Sequence, residues 1–348
     1  MSKILFFLFL MFISTSCAGI SAGVSEYLTS GILAYNSKQY QNSISQLTKV
    51  ISLDQSNVKA YMIRGHSYAE IGKFEMAYSD YKKALKLSPG RQEVYFYIGI
   101  VLGEMKKYDV SIHSYSIAIQ QNSAYVNAYV NRGWMYLATH ENSLAENDFR
   151  IALRLDSAHI HALSGTAECY IRSNDFLSAL TLYNKAINFN QNDPKLYYFR
   201  GSLHIKMKEF HEAVSDFNEA INLNSDYLDA YIGRGNCLAE IGKKKLAIVD
   251  YTKVLKLDLN NVMAYNNRAY TYYELEKYSS AMTDYNRAIE LDPFNADLFY
   301  SRSELFEKIN KYTDALHDAK IATEQRPDNK KYYEWYRRLI EASSSQSE

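Results

Sequence analysis

Three cysteines, four prolines, fourteen glycines and two tryptophans are all that 348 residues hold of those types. So few cysteines exclude a small fold stapled by disulfides. Scarce proline and glycine argue against many tight turns and short strands, and suit long runs of helix. No charge of one sign prevails, because 39 Lys plus Arg meet 39 Asp plus Glu. Nucleic-acid binding needs a basic stripe; none recurs along the chain, so no nucleic-acid partner is expected. Long apolar runs are also missing. The longest, Ile4–Ile13, would span roughly 15 Å as a helix, about half of a bilayer's hydrocarbon core. That excludes a membrane-spanning anchor there. Also absent are a glycine-rich phosphate loop, Cys-x-x-Cys, His-Glu-x-x-His and Gly-x-Ser-x-Gly, the spacings that carry common chemistries. His159 and His161 are two apart and would diverge on a helix. No catalytic residue, metal or cofactor is expected, and the chain is read as not an enzyme.

What is present at the N-terminus has an order. Met1–Lys3 brings a positive charge, Ile4–Ile13 is apolar, and Ser14–Gly23 is small and mostly polar. This is the layout of a signal peptide over residues 1–23. Cys17, in Ser14-Thr15-Ser16-Cys17, resembles the lipobox of bacterial lipoproteins, where the cysteine is acylated and becomes the mature N-terminus. Ser14 stands where that pattern has leucine. Cleavage after Ala18, with Ser16 and Ala18 as the small residues, is the other reading. Either implies export, to a bacterial periplasm or cell surface, since the chain has no Asn-x-Ser/Thr sequon and no terminal retention signal. Membrane contact would come only through a lipid at Cys17. Cys169 and Cys237 share one column of the repeat described next and are expected as small core residues, not as a disulfide.

From Val24 to Asn329 the chain repeats every 34 residues without insertion or deletion. The nine rows are 24–57, 58–91, 92–125, 126–159, 160–193, 194–227, 228–261, 262–295 and 296–329. The fourth place of each row reads Tyr27, Tyr61, Tyr95, Tyr129, Leu163, Tyr197, Tyr231, Tyr265 and Phe299. The twentieth is Ser43, Ala77, Ser111 or, in the other six rows, alanine. A unit of this size cannot bury its apolar face alone and must stack on its neighbours. Within row two, Tyr61, Gly65, Tyr68 and Ile71 fall on one helical stripe, Gly72-Lys73 turns the chain, and Ala77, Tyr81, Ala84 and Leu87 fall on a second. Each row is therefore an antiparallel helix pair. Gly65 and Ala77 are small so that the helices can approach, and Tyr61, Phe74 and Tyr81 fill what the next row leaves open. A capping residue closes eight of the nine rows, from Asp54 to Asp292, with Arg326 the exception.

This pattern resembles the tetratricopeptide repeat family. The small place is Gly31, Gly65, Gly99, Gly133, Gly201 or Gly235, replaced by Ala167, Ala269 and Ser303, and the closing proline survives as Pro89, Pro293 and Pro327. The resemblance implies an all-α, right-handed superhelical solenoid of nine antiparallel helix pairs. Lys330–Ala342 restarts a first helix and is expected as the cap, with charged residues outward, followed by a disordered tail at 343–348.

Because the rows are copies of one unit, they can be compared with each other. Arg occupies the seventh place in six rows (Arg64, Arg132, Arg200, Arg234, Arg268, Arg302), and each has an aspartate sixteen residues on (Asp80, Asp148, Asp216, Asp250, Asp284, Asp318). The rows with Ser30, Ile98 and Thr166 lack both. Six structural ion pairs are expected.

In the resembled family the inner wall is built from the second, fifth, ninth and twelfth places of each first helix. Carried onto this chain, those places include Met62, Phe96, Trp134, Tyr198, Tyr270, Tyr273 and Tyr300. Read as exposed, they form a peptide-binding wall, with Trp134, Tyr270 and Tyr273 the most open. Read as covered by neighbouring rows, they are ordinary core. The family's clamp for a terminal carboxylate is missing, because Ile232, Asp297 and Ser301 stand where it needs lysine and arginine. The resemblance implies a non-enzymatic scaffold that binds a peptide or helical segment of a protein partner on its concave face. The alternative is a docking subunit of an envelope enzyme complex acting on polysaccharide or cell wall.

Overall fold

The computed structural model describes residues 23–344, and every regular element among them is α-helical. The signal-peptide segment, Cys17 and Ala18 lie outside the described residues, as do 345–348. Two compact units divide the chain between Ser173 and Asn174. The first contains α1 (23–36), α2 (Tyr40–Leu53), α3 (Val58–Glu70), α4 (Phe74–Leu87), α5 (Gln92–Glu104), α6 (Tyr108–Gln121), α7 (Val126–Ala138), α8 (Asn142–Leu155) and α9 (Ile160–Arg172). The second contains α10 (Phe176–Phe189), α11 (Pro194–Lys206), α12 (Phe210–Leu223), α13 (Leu228–Glu240), α14 (Lys244–Leu257), α15 (Val262–Glu274), α16 (Tyr278–Leu291), α17 (Ala296–Lys308), α18 (Tyr312–Gln325) and α19 (Lys330–Ser344). Within each unit consecutive helices pack as pairs, and each pair packs on the next. The last helix takes in Ser343 and Ser344, two residues expected in the tail.

Turn chemistry sets these boundaries. The residue closing the second helix folds its side chain onto the backbone two residues on, as where Asp54 Oδ1 accepts from the Ser56 N–H (2.9 Å) and Asp258 Oδ1 from the Asn260 N–H (3.0 Å). Asn57 and Asn261 then cap the next helix, accepting from the N–H groups of Ala60 and Ala264 at 3.0 Å. Between the two helices of every row, one residue is left-handed. Gly72 and Gly242 fill that place in two rows, but Lys38, Lys106, His140, Asn174, Lys208, Glu276 and Asn310 fill it in the others at φ of 58–64°. A side chain there strains the backbone by about 1–2 kcal/mol, so within each unit packing of the helices on either side must hold the turn.

The interior alternates large and small. A Cβ added at Gly65 would lie 2.6 Å from the ring of Tyr81, and one at Gly133 would lie 2.7 Å from Phe149. Phe149 and Phe217, which have no hydroxyl to satisfy, are also met by a glycine of the next row. A Cβ at Gly165 or Gly233 would come within 2.4 and 2.6 Å of these two rings. Tyrosines in the same place instead find a polar partner: Tyr251 Oη donates to Asn236 Oδ1 at 2.7 Å, and Tyr81 Oη lies 2.7 Å from His66 Nδ1.

Each of the six arginines forms a fork on its own row's aspartate, donating from Nε and Nη2 at 2.6–3.0 Å. For Arg200, Arg234 and Arg268 these hydrogen bonds are the largest influence and hold the guanidinium above its ordinary pKa. The remaining nitrogen reaches the preceding row. Nη1 donates to Thr48, Ser116, Asn184, Asn218, Thr252 and Asn286 in turn, at 2.6–3.0 Å. The pair is thus a staple between hairpins as well as within one. The sequence carries the same rule: in rows not followed by such an arginine, the acceptor's place is taken by Lys82, Arg150 or Lys320. Aromatic rings sandwich four of the guanidinium groups, as Tyr129 and Tyr136 do for Arg132 at 5.7 and 5.8 Å.

Candidate functional site: a groove on rows seven to nine

The expected aromatic wall divides into covered and open places. Met62, Phe96 and Tyr300 follow the core reading and not the peptide-binding one: each is no more than 8% exposed. Their neighbours explain the difference. Phe96 is covered by Tyr125, at the end of its own row (ring centroids 4.9 Å apart), and Tyr300 by Tyr332 and Trp335 of the last helix (5.2 and 5.5 Å). Met62 joins the core cluster of Tyr81, Val94 and Ile98. Tyr198 is half-buried beneath Tyr227 (5.2 Å), and Trp134 is half-buried with its indole edge-on to Phe149 (5.6 Å). Tyr270 is the open one, 50% exposed, and stacks on the half-buried Tyr273 at 6.3 Å and 27°.

Tyr270 stands where two grooves meet. One, of about 750 Å³, is lined by Asn236, Glu240, Lys244, Asn267, Glu274 and neighbouring residues. The other, of about 580 Å³, is lined by Met263, Asn295, Asp297, Glu304, Lys331 and neighbours, and both share Asn266, Tyr270 and Ser301. Together they follow the first helices α13, α15 and α17 into α19. Asn267 Nδ2 donates to Asn236 Oδ1 at 2.9 Å, so these two amides form a fixed step between rows. Asn266 Oδ1 is buried and accepts no hydrogen bond. Glu304 accepts from the Tyr300 hydroxyl at 2.8 Å, and burial raises its carboxyl above the ordinary range.

In the first unit the matching stretch is filled by its own rings. His66 lies 4.2 Å from Tyr97 and 6.0 Å from Tyr35, and burial pushes its pKa down to about 4, so it is neutral near pH 7. His159, one of the two histidines at a row boundary, is spent as a helix cap, its Nδ1 accepting from the Ala162 N–H at 3.3 Å. Cys169 and Cys237 are free and buried, and burial raises their thiols to about 11 and about 12. The described residues contain no His/Cys/Asp/Glu cluster that could hold a metal ion, and no helix long and apolar enough to cross a membrane.

Profiles of the tetratricopeptide repeat match residues 58–91 and 262–295, 194–227 and 228–261, and 136–196. The matched segments cover more than half of the chain, which belongs to the tetratricopeptide repeat family. No curated protein sequence matches it. Among solved structures, a chain of the APC/C hetero-tetramer Cut9–Hcn1 is similar over 86% of this chain and 59% of its own length, at 15% identity and a TM-score of 0.59. This chain thus spans about three fifths of that protein. The pilF protein of Pseudomonas aeruginosa is similar over 62% of this chain and 97% of its own, at 20% identity and a TM-score of 0.54. At such identities the likeness is one of fold.

Proposed function

We propose that this protein is a non-enzymatic interaction scaffold, exported to the cell envelope, that holds a peptide or helical segment of a partner protein on the concave wall built by its first helices. The binding centre is the Tyr270–Tyr273 pair, with Tyr198 as a lesser contact in the same unit. The observation that carries this reading is the exposure of Tyr270. An aromatic ring half open to water, backed by a second ring and set in a groove between amide and carboxylate side chains, is costly to leave bare and offers rigid contact area. Tyr300 lines the same groove beneath Tyr332 and Trp335.

Affinity capture from envelope extract tests it. At least one protein is expected on the full-length chain and lost from Tyr270→Ala, with circular dichroism unchanged. For a central aromatic anchor the loss is about tenfold or more in affinity. Identical captured sets would contradict the reading. Export rests on the segment before residue 24, and acylation on Cys17. Labelling cells with a radioactive fatty acid is expected to mark the native chain and not Cys17→Ala. An unlabelled native chain that is trimmed after Ala18 leaves export standing and removes the lipid; an untrimmed, unlabelled one removes both.

A further inference from the structure

The groove on rows seven to nine has an excess of negative charge that the rest of the chain does not share. The whole sequence is neutral. The two joined grooves nevertheless present five carboxylates to two lysines. Two of the five are answered locally: Glu274 by Lys244 at 3.3 Å, and Asp297 by Arg326 at 3.2 Å and by the Tyr332 hydroxyl. Glu240 and Glu304 are not. Among the described residues no Lys or Arg nitrogen lies within 4.0 Å of either carboxylate. Lys331 sits instead 4.2 Å over the Tyr300 ring, and Arg338 is held by Glu307 at 2.7 Å. Glu240, Tyr270 and Glu304 belong to three successive rows, so the exposed ring has a carboxylate outside any ion pair on the row before it and another, bonded to the Tyr300 hydroxyl and felt by Lys331 and Arg338 from farther off, on the row after.

Resting on the reading above, we propose that this groove takes an extended segment of a partner protein carrying arginine or lysine, whose cationic side chain lies on Tyr270 and is met by Glu240 and Glu304. Charge complementarity selects this occupant. An acidic segment, or a free C-terminal carboxylate, would meet five carboxylates with only Lys244 and Lys331 among them, and Lys244 is already held by Glu274. A purely apolar segment would desolvate Glu240 and Glu304 without replacing their water. A cation on the open face of a tyrosine gains from the ring's quadrupole, most strongly where water is thinned, as in a groove. Burial raises the Tyr270 hydroxyl above its ordinary pKa, and Glu274, Glu304 and Glu240 add to that shift. The Asn236–Asn267 step and exposed Met263 line the groove on either side of it, giving a chain room to run along the rows.

A phage-displayed library of random linear peptides, selected on the immobilised full-length protein, tests this. Selected sequences are expected to be enriched in Arg and Lys over the input. Their affinity should fall with rising salt, by about tenfold for the double variant Glu240→Gln/Glu304→Gln and again for Tyr270→Ala. Far-UV circular dichroism of both variants should match the native chain. Peptides that are acidic or purely apolar, or that bind the double variant as tightly as the native chain, overturn the basic-segment proposal. If those peptides still need Tyr270, the scaffold reading survives. Failure to select any peptide, or selection indifferent to Tyr270→Ala, removes both.

Discussion

Asp148→Ala is expected to lower stability by about 3–5 kcal/mol, read from the urea midpoint followed by circular dichroism. Asp148 is 1% exposed and takes two hydrogen bonds from Arg132, at 2.7 and 2.8 Å. The guanidinium is wedged between two tyrosine rings, and its third contact, 2.8 Å to Ser116, reaches into the preceding row. Without the carboxylate, a largely buried cation keeps its desolvation penalty and loses two of its acceptors. Most of the effect is that stranded charge. The double replacement Arg132→Met/Asp148→Leu is therefore expected to stay within about 1 kcal/mol of the native chain, since apolar pairs of similar volume often replace buried ion pairs at little cost. The chain itself dispenses with the ion pair in three rows, which carry Ser30 and Gln46, Ile98 and Ser114, and Thr166 and Leu182 in these places. Equal losses in the single and double variants would show that the attraction itself, and not the stranded arginine, sets the stability.

Phe217→Ala should cost a similar amount, about 3–5 kcal/mol. The ring has no exposed surface and is gripped from two rows at once: a Cβ at Gly201 would lie 3.0 Å from it, and one at Gly233 would lie 2.6 Å away. Both glycines are helical, so the backbone cannot close on the space a methyl group leaves, and the cavity persists. Phe217→Tyr is informative in the other direction. Tyr251 places its hydroxyl on Asn236; the same place in row six is Ser202, and Gly233 packs too close to the Phe217 ring for an added hydroxyl to enter without displacing something. A loss of about 1–3 kcal/mol is expected from overpacking. If Phe217→Ala cost less than about 1 kcal/mol, the ring could not be the joint between rows six and seven.

Much of this was legible in the sequence, for a reason specific to repeats. Every row samples the same environment, so differences between rows act as internal substitutions. That is how Arg64 and Asp80, sixteen residues apart, can be read as partners without coordinates. The third member of the staple obeyed an equally strict rule, with Thr48 before Arg64 and Lys82 before Ile98, but its signal lies between rows and needs rows to be compared in pairs. The left-handed turn was legible only at Gly72 and Gly242. At Lys106 or Glu276 the residue type opposes the conformation, and only helix packing on both sides imposes it. Exposure of the wall was least legible. The aromatic at the fifth place is covered when a tyrosine closes the row, as Tyr125 covers Phe96, and by the final helix at Tyr300. Column membership identifies the wall; local neighbours decide which of its rings see water.

The central claim is that, within each unit, the rows are equivalent hairpins whose interior lies at their boundaries with their neighbours. Excision of residues 262–295 tests it most directly, because the new joint reproduces contacts already present. Thr252 would receive Arg302 in place of Arg268, and Tyr251 would face Ser301, as Tyr285 does now. The shortened chain is expected to keep the same helicity per residue and to unfold cooperatively, at a modestly lower temperature. Excising 262–291 instead, which breaks register by four residues, should leave an aggregating or partly unfolded chain. Equal behaviour of the two deletions, or collapse of the in-register one, would contradict the account.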